Sequence, residues 1–296
     1  MIRLSYLSSS KIPLEAECIT PDFFIGKTNS DISKLPVFDG NRKCELGQFF
    51  SISGTMDDDS ILIENDCSNV KLIGSRMTRG KIEVLGNVGM HLGAGISGGS
   101  ILVRGSATDW VGAEMKGGTI EILGDAGHLI GAAYRGASVG MRGGNLIVHG
   151  SCGNEVGSHM RRGLIAIGKN VGDFVGMGMI AGTIITAGSV GIRAGAEMKR
   201  GTLVFLSERP ALLPTFRFSC NYDPAFLSAS KLWFSSSIIV YAVQSGKSPT
   251  ICSESFFIKF KWEKGPCAQT AAFGKFFSHE INLSPSKKSD ASKVRG

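Results

Sequence analysis

The sequence predicts an all-β protein, a right-handed parallel β-helix of about six to seven 19-residue coils with an N-terminal and a C-terminal cap. Three observations lead to this prediction. Of the 40 glycines, 31 lie between Gly80 and Gly201. Blocks of 19 residues follow one another from Lys81 to Gly201, and the third block carries seven extra residues. Each block opens with β-branched residues and closes with glycine, a pattern typical of a solenoid of short stacked strands.

The first four residues of each block read as a strand. Ile82 and Val84 in one block, or Ile101 and Val103 in the next, stand two residues apart, so their side chains share one face of a strand. A large apolar residue stands three positions before the end of every block: Ile96, Met115, Met141, Met160, Met179 and Met198. We therefore expect apolar ladders inside the coil.

A glycine returns at the thirteenth position of every block and marks a predicted corner. These structural corner glycines are Gly93, Gly112, Gly131, Gly157, Gly176 and Gly195. Glycine accepts a positive φ without steric penalty, whereas another residue there costs roughly 1–2 kcal/mol. Residues 93–98 also match G-x-G-x-x-G, but a short strand rather than a helix follows, so a structural corner is favoured over a dinucleotide site.

Composition outside the blocks predicts the remaining organisation. We expect an N-terminal cap over 1–60, the glycine-rich β-helix over 61–205 and a C-terminal cap over 206–228, because open sheet edges invite aggregation. Residues 229–296 form an atypical basic tail rich in Ser, Phe and Lys, which we predict to be partly disordered. Apolar pieces at 232–243 and 255–262 could add strands, or the tail could be unrelated to the rest of the chain.

Charge and cysteine usage exclude several classes of protein. The tail holds 10 Lys/Arg against 4 Asp/Glu, whereas residues 1–228 hold 22 against 21, so the body has no nucleic-acid footprint. An odd number of scattered cysteines, 7 in all, argues against a disulfide framework. With no signal-peptide core at the start, we predict a cytoplasmic protein.

One uncharged window, Phe174 to Ile192, is nominally long enough to span a bilayer. It contains five glycines and lies in phase with charged blocks of the repeat. We therefore predict coil rather than a membrane helix, and no membrane partner.

No catalytic, cofactor-binding or metal-binding constellation is recognisable from spacing. The five histidines are scattered and have no carboxylate pair at ligand spacing. Surface or partner-facing roles are the simplest interpretation of these histidines. We expect no cofactor to be bound by this chain.

Two features suggest contact with another molecule. Basic residues precede the closing glycines and would stack into a broken basic ridge, interrupted at Ile180: Arg79, Lys116, Arg142, Arg161, Arg162, Lys199 and Arg200. Such a ridge suits an extended polyanion or an acidic partner, although a merely solvated edge would look the same. In addition, the outward strand position becomes apolar in later blocks, at Ile147, Ala166 and Ile185, and either a partner or the chain's own caps would cover it.

Blocks such as EILGDAGHLIGAAYRGASVGMRGG and NLIVHGSCGNEVGSHMRRG carry a family resemblance. They resemble the C subunit of formylmethanofuran dehydrogenase and, more closely, the C subunit of the bacterial formyltransferase/hydrolase complex. The C-terminal β-helix domain of the glutamate synthase large subunit has a similar glycine pattern. The likeness covers about residues 40–228, including FRFSCNYDPAFL, and does not extend to residues 229–296.

The resemblance implies a non-catalytic scaffold subunit of a hetero-oligomeric complex in one-carbon metabolism. Active sites are then expected on partner subunits A, B and D, and the complex handles formyl groups on a methanofuran-type carrier. Molybdenum or tungsten pterin is implied on the B subunit, and only in the dehydrogenase branch. The alternative is a stand-alone enzyme or a glutamate-synthase-like domain that acts without these partners.

Overall fold

The computed structural model describes residues 1–7, 12–207 and 210–217, together with the backbone of three later strands. The described chain is nearly all β-structure and forms a stack of parallel coils, which confirms the predicted fold class. About half of the predicted C-terminal cap (206–228) and most of the basic tail (229–296) lie outside the described residues.

The N-terminal residues contain short elements of mixed type. In chain order these are β1 (Ile2–Tyr6), β2 (Leu14–Glu15), α1 (Pro21–Phe24), α2 (Asn29–Ser33), β3 (Pro36–Asp39), β4 (Arg42–Glu45), a 3-10 helix (Leu46–Gln48) and β5 (Phe50–Gly54). Thr20 caps α1, and Thr28 forms a reciprocal capping box with Asp31 at the start of α2. Such caps satisfy the free N–H groups of a helix start.

The coils contribute one strand each to a single sheet. These strands are β6 (Ser60–Ile63), β8 (Lys81–Val84), β9 (Ser100–Val103), β10 (Thr119–Ile122), β11 (Arg142–Val148), β12 (Arg162–Ile167), β13 (Thr183–Thr186) and β14 (Thr202–Phe205), with the short β7 (Val70–Lys71) between β6 and β8. All eight pair parallel in sequence order within the described chain. The prediction of six to seven coils is therefore too low, because the first and last turns lack the full 19-residue pattern.

Register along the stack is fixed by the repeat. Ile82 faces Ile101, which faces Ile120, and the same position continues through Leu146, Ile165, Ile184 and Leu203. These side chains are buried. A second column of single bridges joins Cys67, Val88, Ala107, Ala126, Cys152, Val171 and Val190. The seven extra residues of the third coil bulge between β10 and β11 without shifting this register.

Two further sets of strands complete the sheets. β1 pairs parallel with β6 and antiparallel with β5, so the N-terminal residues extend the coil sheet by two strands. A smaller sheet has the order β4-β3-β2-β7. Beyond the coils, β15 (Cys220–Asn221) pairs with β17 (Phe256–Phe257), and β16 (Ile239–Ala242) pairs antiparallel with β14. Strand β16 falls inside the apolar piece 232–243, and β17 falls inside the apolar piece 255–262.

Residues other than glycine also adopt left-handed backbone conformations in the coils. The residue two before each of the six corner glycines has a positive φ, at His91, Trp110, Leu129, Glu155, Phe174 and Arg193. Leu72, two residues before Gly74 in the preceding coil, has one as well. Glycine is therefore not the only residue type that adopts a positive φ in the coils. The His91 N–H donates to Asp109 O of the next coil, whereas the Gly93 N–H donates to Ile73 O of the previous coil. This alternation satisfies donors on both sides and offsets the conformational cost.

Side chains at two further positions connect each coil to the next. In one column, Asn87, Ser106 and Asp125 each accept a hydrogen bond from a backbone N–H one coil further on, at 2.7–3.0 Å. In the other column, the acceptors are Asp109, His128, Asn154 and Asp173. These columns explain why short polar residues return at fixed places in the blocks.

Within the described residues, no helix combines the length and the apolar composition that a membrane span requires. The uncharged window from Phe174 to Ile192 contains a coil turn and strand β13.

Candidate functional site

The basic ridge residues stack at the end of successive coils. The N–H of Lys116 donates to Ile96 O at 2.7 Å, that of Arg142 to Met115 O at 2.6 Å, and that of Arg161 to Met141 O at 2.8 Å. Each bond joins one coil to the one before, so the three side chains form one column with strand-like spacing of about 4.8 Å. Arg142 and Arg162 are also direct partners in the β11–β12 pairing.

All seven ridge side chains are exposed. Arg79 Nε lies 3.5 Å from Asp59 Oδ2. Within the described chain, Lys116, Arg142 and Arg161 have no acidic partner within ion-pair distance. Ile180 takes the same column position one coil after Arg161, so the charge is interrupted there and returns at Lys199. The structure thus concentrates unneutralised positive charge at the ends of the third, fourth and fifth of the eight coils.

The corner glycines face the interior of the coil. All six have φ between 61° and 70°. A Cβ on Gly93 would lie 2.5 Å from Ile120 Cδ1, and one on Gly112 would lie 2.7 Å from Leu146 Cδ1. The G-x-G-x-x-G run at 93–98 is followed by β9 rather than a helix, so its glycines serve the packing of the coil.

The four described histidines have separate surroundings. His128 Nδ1 accepts a hydrogen bond from the Asn154 N–H, and His159 Nδ1 lies 3.0 Å from Ser158 Oγ. His149 Nε2 lies 2.8 Å from Glu121 Oε1 on the outer face of the sheet. His279 lies outside the described residues.

His91 belongs to an aromatic cluster that spacing in the sequence does not reveal. His91 Nδ1 lies 2.9 Å from the Tyr134 hydroxyl, and the rings of Trp110 and Tyr134 stack with centroids 5.0 Å apart. Tyr134 opens the seven-residue insertion, so the cluster holds the insertion against earlier coils. Burial raises the pKa of Tyr134 to about 12 and lowers that of His91. In the sequence, the signal for this cluster was Tyr134, an aromatic residue at the start of the insertion.

A groove in the N-terminal residues is likewise invisible in the sequence pattern. It encloses about 260 Å³ and is lined by Glu15, Glu17, Cys18, Phe23, Leu35, Pro36 and Phe38. These residues come from β2, α1 and β3 and the segments beside them, and no periodicity links them in sequence. The groove combines exposed aromatic rings with carboxylates.

The donor set does not fit a metal centre in the part of the chain that the structure describes. No three His, Cys, Asp or Glu side chains there converge as a metal site would need. Burial raises the pKa of the Cys18 and Cys67 thiols to about 12 and also raises that of Cys152. Such thiols stay protonated at neutral pH and are poor ligands and nucleophiles. These three thiols are therefore poor candidates for a metal ligand.

Two of the three apolar outward positions of the later coils are buried. Ile147 and Ala166 are each 1% exposed. Ile185 is half-buried. Of the two explanations left open by the sequence, a partner is therefore not needed to cover Ile147 or Ala166.

No family model matches the chain. Among solved structures, it is similar to one polypeptide in the crystal structure of the formyltransferase/hydrolase complex (FhcABCD) from Methylorubrum extorquens in complex with methylofuran. The TM-score is 0.75 and the sequence identity 31%, over 86% of this chain and 98% of that chain.

Two curated relatives are similar over a shorter region. One is the C subunit of the tungsten-containing formylmethanofuran dehydrogenase 2 of Methanothermobacter wolfeii, 44% identical over 89 residues. The other is the C subunit of the molybdenum-containing formylmethanofuran dehydrogenase 1 of Methanothermobacter marburgensis, 47% identical over 87 residues. Each match spans 29% of this chain, and it spans 33% and 22% of the respective relatives.

Proposed function

We propose that this chain, which belongs to the family of the formylmethanofuran dehydrogenase C subunit and its counterpart in the formyltransferase/hydrolase complex, is the non-catalytic scaffold subunit of such a complex. The observation that carries the proposal is the match to nearly the whole of one chain, 98% of it, that was crystallised within a multi-subunit assembly. A coil stack suits a scaffold because equivalent side chains repeat at fixed spacing along its surface.

The proposed partners are subunits A, B and D of the same complex, and the proposed carrier is of the methanofuran type. The solved complex, one chain of which is similar to this protein, contains methylofuran. Formyl chemistry is assigned to the partner subunits. If the partner set includes a dehydrogenase-type B subunit, molybdenum or tungsten pterin belongs to that partner.

The basic ridge is proposed to contact an anion in the assembly. The proposed anion is either an acidic face of a partner subunit or the glutamyl tail of the carrier. Support comes from the stacked, exposed column of Lys116, Arg142 and Arg161, which has no acidic partner among the described residues. Repeated charges one coil apart match repeated carboxylates better than a single anion.

Charge reversal tests the ridge. In the purified complex, Arg161→Glu together with Arg162→Glu is expected to weaken assembly or carrier affinity by about tenfold, as loss of clustered charge contacts does. Arg135→Glu, an exposed charge on the insertion, is the matched control and is expected to leave both unchanged. Unchanged assembly and carrier affinity in the double variant would show that the ridge is only a solvated edge.

The compartment is proposed to be the cytoplasm. The described cysteines Cys18, Cys44, Cys67 and Cys152 are free thiols, which suits a reducing environment.

Affinity purification of the tagged chain from its native host, followed by mass spectrometry and metal analysis, tests the proposed function. Co-purification of subunits A, B and D is expected. Tungsten or molybdenum in stoichiometric amount would assign the dehydrogenase branch, and its lack would assign the formyl-hydrolysing branch. A chain that purifies alone and acts on a formyl carrier or glutamine by itself would establish the alternative of a stand-alone enzyme.

A further inference from the structure

One of the two polar columns that join successive coils contains a residue that changes its charge near neutral pH. Its four acceptors each take a hydrogen bond from a backbone N–H of the next coil, at 2.7–2.9 Å: Asp109, His128, Asn154 and Asp173. A carboxylate or an amide oxygen remains an acceptor throughout about pH 5 to 8, whereas histidine gains a proton in that range. His128 is therefore the member of this column whose hydrogen bond depends on pH.

The hydrogen bond to His128 defines which ring nitrogen carries no proton. The donor is the backbone N–H of Asn154, whose nitrogen lies 2.9 Å from His128 Nδ1. Because a backbone N–H only donates, Nδ1 must accept, and the ring must be neutral. A protonated imidazole carries N–H on both nitrogens, so it would present a donor to the donor of Asn154. Proton uptake by the ring is therefore incompatible with this bond.

Packing against the next coil holds the ring in this position. A Cβ on Gly153 would lie 2.6 Å from His128 Nδ1 and 2.9 Å from its Cε1 and Cγ atoms. The ring therefore lies directly over the backbone of the following coil, where only glycine leaves room for it. One coil further on, a Cβ on Gly172 would lie 2.1 Å from Asn154 Oδ1. The same arrangement thus repeats with an acceptor that does not titrate.

The described charged side chains that flank His128 in its own and the adjoining coils are acidic. In the previous coil, Asp109 Oδ1 accepts the His128 N–H at 2.7 Å. On the same coil, Asp125 stands three residues before the ring and accepts a backbone N–H of the next coil, and in that next coil Glu155 follows Asn154. Negative charges favour the positive form of histidine, so these neighbours do not oppose proton uptake. What proton uptake removes is the acceptor at Nδ1.

We propose that His128 is a pH-sensitive joint in the coil stack. When the ring gains a proton, its hydrogen bond with Asn154 opens, and the coil of β10 loosens from the coil of β11 at that corner. The seven-residue insertion lies between the same two strands, so the joint sits where the stack is already irregular. The pairing of β10 with β11 does not involve the ring and stays closed. The joint belongs to the chain itself and requires no partner subunit.

Amide hydrogen exchange of the full chain, resolved by residue with NMR, tests the joint. Protection factors, which correct for the intrinsic pH dependence of exchange, are compared at pH 7.5 and pH 5.5. The protection of the Asn154 N–H is expected to fall about fivefold at the lower pH, as loss of one hydrogen bond does. The Asp173 N–H, which donates to Asn154 Oδ1, is the internal reference and should not change. An Asn154 protection that stays constant relative to that of Asp173 would overturn the proposal.

Two substitutions separate the acceptor from the charge. His128→Asn keeps an acceptor of the kind found at position 154 and does not titrate, so Asn154 should be well protected at both pH values. His128→Ala has no acceptor, so Asn154 should be poorly protected at both. A wild-type pH response in His128→Asn would assign the effect to another group, and wild-type protection in His128→Ala at pH 7.5 would show that the bond contributes nothing. Either result would overturn the proposal.

The ring itself provides the last readout. The nitrogen chemical shifts of the His128 imidazole report its proton directly as the pH is lowered. The midpoint of this titration is expected to coincide with the midpoint of the loss of protection at Asn154. Two clearly different midpoints would mean that proton uptake by His128 does not open the bond, and the proposal would be wrong.

Discussion

The coils from Lys81 to Gly201 and the N-terminal residues 1–60 are built on different principles. In the coils, a side chain meets its own equivalents one turn away, as Ile82, Ile101 and Ile120 do. In the N-terminal residues, contacts follow no repeat and join separate elements, for example Asp22 with Thr78. The comparison shows that repetition makes a fold readable from sequence, whereas unlike contacts supply individual surfaces.

The largest effect is expected from a hole in the N-terminal core. Phe24→Ala should lower the free energy of unfolding by about 3–5 kcal/mol, because it removes a fully buried ring. Phe23→Ala, one residue away and exposed, is the matched control and should cost less than about 1 kcal/mol. Urea denaturation measures both. Equal losses in the two variants would mean that α1 does not divide its rings between core and surface.

Glycine in the coil should be harder to replace than glycine in the insertion. Gly144 and Gly136 share a φ of 88°, but a Cβ on Gly144 would lie 2.7 Å from Gly118 O, whereas one on Gly136 meets nothing within 4 Å. Gly136→Ala should cost about 1 kcal/mol for backbone strain alone, and Gly144→Ala about 1–3 kcal/mol more for the forced separation of coils. Thermal melts of the two variants give the difference. Similar melting temperatures of the two variants would show that backbone strain, rather than the close approach of neighbouring coils, makes glycine necessary at position 144.

A smaller effect is expected from the polar columns. Asn170 Oδ1 accepts a hydrogen bond from the Ser189 N–H at 3.0 Å. Asn170→Ala should cost about 0.5–1.5 kcal/mol, and amide exchange should accelerate at Ser189. The exposed neighbour Lys169→Ala is the control. If exchange at Ser189 is as slow in Asn170→Ala as in that control, the column does not connect the coils.

The smallest effect concerns the aromatic cluster that holds the insertion, and this effect depends on pH. The pKa of His91 is lowered, mainly by burial and secondly by Lys71, while Glu15 and Asp109 oppose the shift. Below about pH 6.5 the unfolded state therefore binds more protons than the folded state, and stability falls as the pH falls. Solvent screening of this half-exposed ring keeps the effect small, about 1–2 °C in Tm.

Melts at pH 7.5 and pH 5.5 measure this effect in the wild type and in His91→Gln. The variant should lose less stability on acidification than the wild type. An identical loss in both proteins would assign the pH dependence to other groups.

Periodicity accounts for what the sequence could predict. The strands, the Met column at Met141 and Met160, and the position of the ridge all follow from the 19-residue repeat. The left-handed backbone at Trp110 could not be predicted, because its large side chain points outward and no glycine marks the place. The polar columns could not be recognised in the sequence, because four residue types, Asn, Asp, Ser and His, occupy equivalent positions and all accept the same hydrogen bond.

The candidate sites differ in the same way. The ridge repeats and was visible in the sequence. The groove of Glu15, Phe23 and Phe38 brings together separate elements by tertiary packing, which no local pattern reports. The aromatic cluster of His91, Trp110 and Tyr134 joins residues from three coils through the insertion, and its hydrogen bond spans 43 positions.

Hydrogen exchange of the chain, alone and within its complex, tests most directly the claim that a preformed coil stack carries partner-binding surfaces. We expect the strand amides of β8 to β13 to be equally protected in both states. The ridge residues near Arg161 should gain protection only in the complex. Coil strands that become protected only on assembly, or a ridge whose protection does not change, would contradict this account.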